Sequence, residues 1–178
     1  MIGLKIGVVS LEDHDPRWIE EAEEAMAQLV NMLGETVIDA RHIGSTAMPS
    51  IKAKPIVDIA LKVGDFKAVR AKMETLAASG WTHRPHSELA NTMYFIKMTD
   101  DGESVTHHLF MFEPDAWEWD AHVGFLEHML KHPRDAMAYE ALKVSLAEKY
   151  PFDRERYTAS KKAFINGIVA KVMKRHRP

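Results

Sequence analysis

Hydrophobic positions in the first two thirds of the chain predict a mixture of helices and strands. Between Asp15 and Gly34 apolar side chains recur every three or four residues, which is the spacing of a helix that buries one face. Asp15 before a proline is a favourable helix start, and Gly34 is a favourable helix end. Short apolar or alternating runs predict strands over residues 4–9, 36–43, 55–63, 93–98 and 105–112, and a second helical pattern covers residues 65–79.

The last third of the chain has a helical pattern. It predicts helices over residues 117–131, 134–149 and 158–175, separated by proline-containing breaks. The expected fold class is α+β, with a mixed or antiparallel sheet of about four or five strands, flanking helices and a helical C-terminal third. Because no long linker interrupts the pattern, we expect one domain over residues 1–178, with an α+β part over about residues 1–114 and a helical tail over about residues 115–178.

Composition and charge exclude some classes of function but do not identify one. The 178 residues carry a net charge of −3, which gives no reason to expect the clustered basic surface of a nucleic-acid-binding protein. The chain has no cysteine, which excludes disulfides and thiolate chemistry. It has no secretory signal pattern and no apolar run near the roughly 18 residues of a membrane span, so we expect a cytoplasmic protein without a membrane partner.

Chemically active residue types concentrate between the second and third predicted strands. Gly44-Ser45 is a predicted turn, Lys54 follows in a loop, and Asp58 lies inside the third strand. This arrangement resembles nucleotidyltransferase-fold proteins, in which the turn faces a phosphate and the carboxylate holds Mg²⁺. We therefore expect Gly44, Ser45 and Lys54 to bind phosphate, and we expect Asp58 to hold Mg²⁺. The alternative is a structural turn in which Asp58 pairs with Lys54 or Lys62.

A pair of histidines and one glutamate are further candidates. His107 and His108 are adjacent on a predicted strand, so their side chains point to opposite faces and only one of them can face the site. The sequence leaves open which one it is; that imidazole would contact phosphate or act as a general acid–base. Glu113, at the end of the same strand, is the second candidate metal ligand, because Ala60 occupies the usual position two residues after Asp58.

Tyr157 and Lys161 are one helical turn apart in the last predicted helix. A surface pair is the simplest interpretation of this spacing. If the helical tail instead covers the Gly44-Ser45 turn, the same pair reaches the site and Lys161 becomes a phosphate ligand. The sequence does not decide between these two positions of the tail.

Several separated motifs, in the same order along the chain, resemble the GrpB family. The run R-H-I-G-S-T-A-M-P-S-I-K-A-K-P-I-V-D-I, from Arg41 to Ile59, is similar to the family signature H-[IV]-G-S-T-[AS]-[VI]-P-G-[IL]-x-A-K-P-I-[IV]-D-I and adds His42 to the candidate phosphate ligands. Further matches are Asp15 to Trp18, Thr106 to Leu109, Phe125 to Pro133, Tyr139 to Lys143 and Tyr157 to Ile165. The resemblance implies a nucleotidyltransferase-like α+β fold. Some members are fused to the kinase that completes coenzyme A synthesis, which implies a nucleotide or pantetheine-related ligand and a link to coenzyme A metabolism.

The functional hypothesis takes into account two departures from the family. Ser50 stands where the family commonly has glycine, and Phe110 replaces the last histidine of the family motif H-H-L-H. The leading expectation is a Mg²⁺-dependent nucleotidyl- or phosphoryl-transferase that binds a nucleotide or phosphorylated metabolite, with Asp58 and His108 as catalytic residues. The alternative is a non-catalytic nucleotide- or metabolite-binding or regulatory module, because a two-metal centre ordinarily needs more carboxylates than the sequence supplies.

Overall fold

The computed structural model describes residues 2–85 and 91–175. Within these ranges the chain forms six strands and six helices. The strands are β1 (Leu4–Lys5), β2 (Val37–Ile43), β3 (Val57–Val63), β4 (Trp81–His83), β5 (Thr92–Met98) and β6 (Ser104–Phe112). The helices are α1 (Arg17–Leu33), α2 (Phe66–Arg70), α3 (Met73–Ala78), α4 (Trp117–Lys131), α5 (Pro133–Lys149) and α6 (Arg154–Arg175).

The strands within the described ranges form one mixed sheet. Its order is β2-β3-β6-β5-β4, and β1 pairs with the start of β6. β3 and β6 are parallel, whereas the other pairs are antiparallel. The parallel register places Asp58 beside His108 and Ala60 beside Phe110. Two motifs that are distant in sequence therefore meet at the same level of the two central strands.

One face of the sheet packs on α1, α2 and α3. Ile59 of β3 and Leu109 of β6 are fully buried there, in one hydrophobic cluster with Trp18 of α1. Burial of a large apolar side chain contributes about 1.5–3 kcal/mol to stability, so this face supplies much of the core. Because side chains alternate along a strand, Asp58 and His108 project from the opposite face.

The helices α4, α5 and α6 cover the face that carries Asp58. Trp119 of α4 is buried in a cluster with Ala60 and Phe112 of the sheet. Met48 and Ile51, from the loop between β2 and β3, are buried among side chains of the three helices. The helical tail therefore lies over the Gly44-Ser45 turn, which answers the question that the sequence left open.

The expected α+β class, mixed sheet and helical C-terminal part are confirmed, and the differences are local. The first strand covers only Leu4–Lys5, and β4 was not predicted. The helical pattern over residues 65–79 is divided into α2 and α3. The last helix begins four residues earlier than expected, where Asp153 Oδ1 accepts a hydrogen bond from the Arg156 amide and caps it. That residues 1–178 form one domain stays a prediction.

None of the helices in residues 2–85 and 91–175 combines the length and the apolar character that a membrane span requires.

Candidate functional site

The turn at Gly44 packs directly against the carboxylate of Asp58. Gly44 has a φ of 71°, a left-handed conformation that favours glycine, and it leads into a short 3₁₀ turn over Ser45–Ala47. A Cβ atom at this position would overlap with Asp58 Oδ2. Glycine is therefore required here on two counts, its backbone conformation and the closeness of the carboxylate.

Asp58 and His108 form a hydrogen-bonded pair on the face that the helical tail covers. His108 Nδ1–H donates to Asp58 Oδ1 at 2.9 Å, and the two side chains are 17% and 28% exposed, respectively. Burial by itself would raise the pKa of Asp58, but the hydrogen bond from His108 and the nearby positive charges lower it. Asp58 is therefore ionised near neutral pH, and His108 is the imidazole of the pair His107-His108 that lies beside it.

Two lysines lie over the ring of Tyr157. The Nζ atoms of Lys161 and Lys54 are 4.4 Å and 5.6 Å from the ring centroid, respectively. Tyr157 is only 1% exposed, so the interpretation of Tyr157 and Lys161 as a surface pair does not hold. Burial lowers the pKa of Lys161 to about 7 and that of Lys54 to about 8, while the negative charge of Asp58 opposes both shifts.

Lys143 of α5 is a third lysine at this site. It is 1% exposed, and its ammonium group donates hydrogen bonds to Ser45 Oγ (3.1 Å) and to the backbone carbonyl of Lys52. Burial lowers its pKa to about 8. These contacts attach the Gly44-Ser45 turn to α5, so the turn, the sheet and the helical tail meet at one place.

Positive charge exceeds negative charge around this turn. Within the described ranges, none of the ammonium nitrogens of Lys54, Lys143 and Lys161 lies within 4 Å of a carboxylate oxygen. Asp58 acts electrostatically on all three, and Glu140 acts on Lys143 as well. Buried cations without a close counterion favour an anionic ligand. We call the following residues the lysine site: Gly44, Ser45, Lys54, Asp58, His108, Lys143 and Lys161.

Two of the predicted phosphate ligands project from the other face of the sheet. His42 pairs with Ile59 in the strand register, and its Nε2 lies 2.9 Å from Thr46 Oγ1. His107 is 5% exposed, and its ring contacts that of Trp81. Burial lowers the pKa of each histidine to about 4, so both are neutral at physiological pH. Alternating strand positions place His42 and His107 on the face opposite Asp58, and their contact with phosphate stays a prediction that this placement does not favour.

Glu113 also lies outside the lysine site. Its Oε1 accepts a hydrogen bond from the Phe66 amide (3.0 Å) at the start of α2. It follows His108 by five residues along an extended chain, a separation of about 16 Å. The predicted pairing of Asp58 with Glu113 on one metal ion does not fit this geometry. Across the residues that the structure describes, no group of three His, Cys, Asp or Glu side chains is arranged to hold a metal ion.

The two departures from the family pattern have different consequences. Ser50 does not have a positive φ, so the loop does not need glycine at that position. Phe110 lies beside Ala60 in the register and stacks on Tyr94 (5.0 Å between ring centroids) and on His122 of α4 (5.4 Å). The place beside Asp58 where a second carboxylate and a second strand imidazole would meet is therefore packed with aromatic rings.

The sequence does contain a signal for Lys143, the residue that sequence reasoning missed. The spacing Tyr-x-x-x-Lys occurs in α5, from Tyr139 to Lys143, and again in α6, from Tyr157 to Lys161. In both helices the ammonium group lies over the tyrosine ring one turn earlier, at 5.0 Å in α5 and 4.4 Å in α6. The repeated spacing marks the two helix faces that turn towards the sheet.

The structure thus has a nucleotidyltransferase-like α+β fold, with one carboxylate, Asp58, beside the Gly44-Ser45 turn. The family profile described as GrpB protein matches residues 8–171, so the chain belongs to the GrpB family. The glutamate-rich protein GrpB of Alkalihalophilus pseudofirmus is 34% identical over 171 residues, which cover 95% of this chain and 98% of that protein. A shorter match of 31% identity over 81 residues covers 44% of this chain and 20% of a dephospho-CoA kinase of Mycolicibacterium paratuberculosis.

Solved structures agree with this assignment. The crystal structure of GrpB from Enterococcus faecalis matches with a TM-score of 0.86 and 27% identity, over 94% of this chain and 99% of that one. A crystal structure of the Cid1 poly(U) polymerase matches with a TM-score of 0.51 and 12% identity, over 76% of this chain and 43% of that one. At this identity the second likeness shows the fold alone. The resemblance noted in the sequence is thereby confirmed for family and fold.

Proposed function

We propose that this protein binds a nucleotide or another phosphorylated metabolite in the lysine site. The phosphate would lie between the Gly44-Ser45 turn and the ammonium groups of Lys54, Lys143 and Lys161. The observation that carries the proposal is the charge of the site, in which three buried or half-buried ammonium groups surround one carboxylate. Taking such charges out of water is unfavourable unless an anion compensates them, so a phosphate group would stabilise the site.

Two comparisons support a nucleotide-like ligand within this class. The nucleotidyltransferase-like fold is shared with a poly(U) polymerase, and part of the chain is similar to part of a dephospho-CoA kinase. Coenzyme A precursors carry phosphate groups that the lysine site would accept by the same chemistry. We therefore include them among the ligands to be tested, which keeps the predicted link to coenzyme A metabolism within the proposal.

A thermal-shift screen tests the proposal. The ligands are nucleoside mono-, di- and triphosphates, dephospho-coenzyme A and phosphopantetheine, each added to the native protein and to two variants. Lys161→Met removes one ammonium group of the lysine site, and Lys162→Met makes the same substitution at the exposed neighbouring position. A ligand present at about a hundred times its Kd stabilises the native state by about 2.7 kcal/mol, which raises Tm by about 5–10 °C for a chain of this size.

We expect the shift in the native protein and in Lys162→Met, and we expect Lys161→Met to lose most of it. The proposal fails if none of these ligands shifts Tm, or if both substitutions leave the shift intact. The matched pair separates a specific contact from a general change in surface charge, because both variants lose one positive charge on the same helix.

The Asp58–His108 hydrogen bond favours a second candidate function, that of a nucleotidyl- or phosphoryl-transferase. A carboxylate that holds Nδ1–H of an imidazole leaves Nε2 available to accept a proton from an attacking hydroxyl group. In this case His108→Asn, which keeps a donor towards Asp58 but cannot titrate, would lower kcat at least about 100-fold with little change in Kd. If a bound ligand from the screen shows no turnover with any hydroxyl acceptor, the non-catalytic binding module is the better description.

A further inference from the structure

We propose that the ammonium groups of Lys54, Lys143 and Lys161 neutralise the phosphate charge of the ligand, and that the site therefore holds its ligand without a divalent metal ion. This inference rests on the proposed function and adds how the site would recognise the phosphate group. It departs from the magnesium site that the sequence motif predicts, because the side chains around Asp58 do not suit a metal ion.

The carboxylate of Asp58 has one oxygen in a hydrogen bond and the other against the backbone of Gly44. Oδ1 accepts the hydrogen bond from His108, and Oδ2 packs against the α-carbon side of Gly44, where a Cβ atom would overlap with it. Magnesium bound in a nucleotide site usually takes one or two carboxylates together with phosphate oxygens and waters. A metal ion here would have one carboxylate ligand from the lysine site, Asp58, and that side chain already holds His108.

The neighbours of Asp58 have the wrong charge for a metal centre. Lys54 and Lys161 each act on the Asp58 carboxyl as positive charges, and Lys143 acts on Lys161 in the same way. A divalent cation would be repelled by each of these ammonium groups, whereas a phosphate group would be attracted by all of them. The arrangement is complementary to the anion itself and not to an anion with its metal.

The strand positions two residues beyond Asp58 and His108 carry no metal-ligating side chain. Ala60 lies two residues further along β3, and the adjacent Phe110 is stacked between two other ring contacts, Tyr94 and His122. Ala60 and Phe110 therefore supply no oxygen or nitrogen donor at these two strand positions. In the described part of the chain, no other carboxylate or imidazole completes a group of three donors.

Calorimetric titration with ATP as the probe tests the inference directly. Binding to the native protein is measured once in excess EDTA and once in excess Mg²⁺, and then again with Asp58→Asn. If the lysines alone bind the phosphate, affinity in EDTA will equal or exceed the affinity in Mg²⁺. Because Asp58 holds no metal ion in this mode and its charge repels the ligand, Asp58→Asn will retain ATP binding in EDTA.

The opposite results overturn the inference. Binding that requires Mg²⁺ and is lost in Asp58→Asn would establish the metal site and reject the lysine-only mode, while the proposed function would stand. Absence of ATP binding under both conditions, together with no shift from any ligand of the screen, would instead reject the proposed function itself. The comparison of EDTA with Mg²⁺ uses the native protein, so the inference stays testable even if Asp58→Asn does not fold.

Discussion

At the scale of single residues, the lysine site depends on two contacts that join three residues in a row. Gly44 touches one oxygen of Asp58, and the other oxygen accepts the hydrogen bond from His108. Because the carboxylate lies between two neighbours, a side chain at position 44 cannot be accommodated by a small rotation of Asp58 without loss of the His108 contact. The glycine thus sets the position of the only carboxylate within the lysine site.

Gly44→Ala is therefore expected to destabilise the protein by about 2–3 kcal/mol, from the left-handed backbone and the overlap with Asp58 together. Denaturant unfolding measures this change. The matched control is Gly167→Ala in α6, where a Cβ atom would meet nothing within 4 Å. In a helix interior this second substitution should stabilise by about 0.5–1 kcal/mol. Equal effects of the two substitutions would contradict the contact that we describe.

At the scale of helices, α5 and α6 carry the same tyrosine–lysine pair on the face that turns towards the sheet. Each carries a tyrosine, and one turn later a lysine whose ammonium group lies over the tyrosine ring. Tyr139 and Tyr157 are buried at 4% and 1% exposure, which fixes these helix faces against the rest of the protein. Lys143 donates a hydrogen bond to Ser45 of the turn, and Lys161 lies over the Tyr157 ring. The two helices thus supply two of the three ammonium groups of the site.

The buried charge of Lys143 should make the ligand-free protein less stable than a variant with an uncharged side chain at this position. Its pKa falls from 10.5 to about 8 on burial, which costs up to about 3 kcal/mol, and its hydrogen bonds to Ser45 and Lys52 return about 1 kcal/mol each. Lys143→Met is expected to raise stability near pH 7 by about 1 kcal/mol, or Tm by about 2–4 °C, and to weaken ligand binding.

The sign of the pH dependence provides a check on this prediction. A lysine whose pKa is lowered in the folded state destabilises it fully below about pH 8, and the penalty vanishes as pH rises towards 10.5, where both states are neutral. The advantage of Lys143→Met should therefore shrink between pH 8 and pH 10.5. Lys149→Met, at the exposed end of the same helix, should stay within about 0.5 kcal/mol of the native protein. A constant advantage at all pH values would exclude the buried charge as its cause.

At the scale of the whole molecule, the sequence predicts what is local and misses what depends on packing between layers. The α+β class and the Gly44-Ser45 turn beside Asp58 follow from short patterns. Strand alternation shows that only one of His107 and His108 faces the site, but the choice depends on the register between β3 and β6. Lys143 becomes a site residue only because α5 packs on the loop after Gly44, a contact that joins residues almost a hundred positions apart.

The placement of the lysines between two layers should make the proposed ligand binding dependent on pH. The pKa of Lys161 is about 7 and the pKa values of Lys54 and Lys143 are about 8, so part of their charge is absent in the free protein at about pH 7.5. A phosphate group stabilises the protonated form of each lysine, and binding should therefore take up about one proton. The charged and titratable groups around these lysines are Asp58, His108, Glu140, Arg154, Tyr139 and Tyr157.

Affinity for metal-free ATP should consequently fall at least about tenfold as pH rises from 7 to 9, because the lysines lose their protons over this range. Calorimetric titrations in buffers of different ionisation enthalpy measure the proton uptake, and the same titrations at several pH values measure the affinity. A site that bound its phosphate through a metal ion on Asp58 would show little proton uptake here, since a carboxylate with a lowered pKa is already ionised. Proton uptake together with a falling affinity would therefore link the burial of the lysines under α5 and α6 to ligand recognition, whereas a flat pH profile would contradict that link.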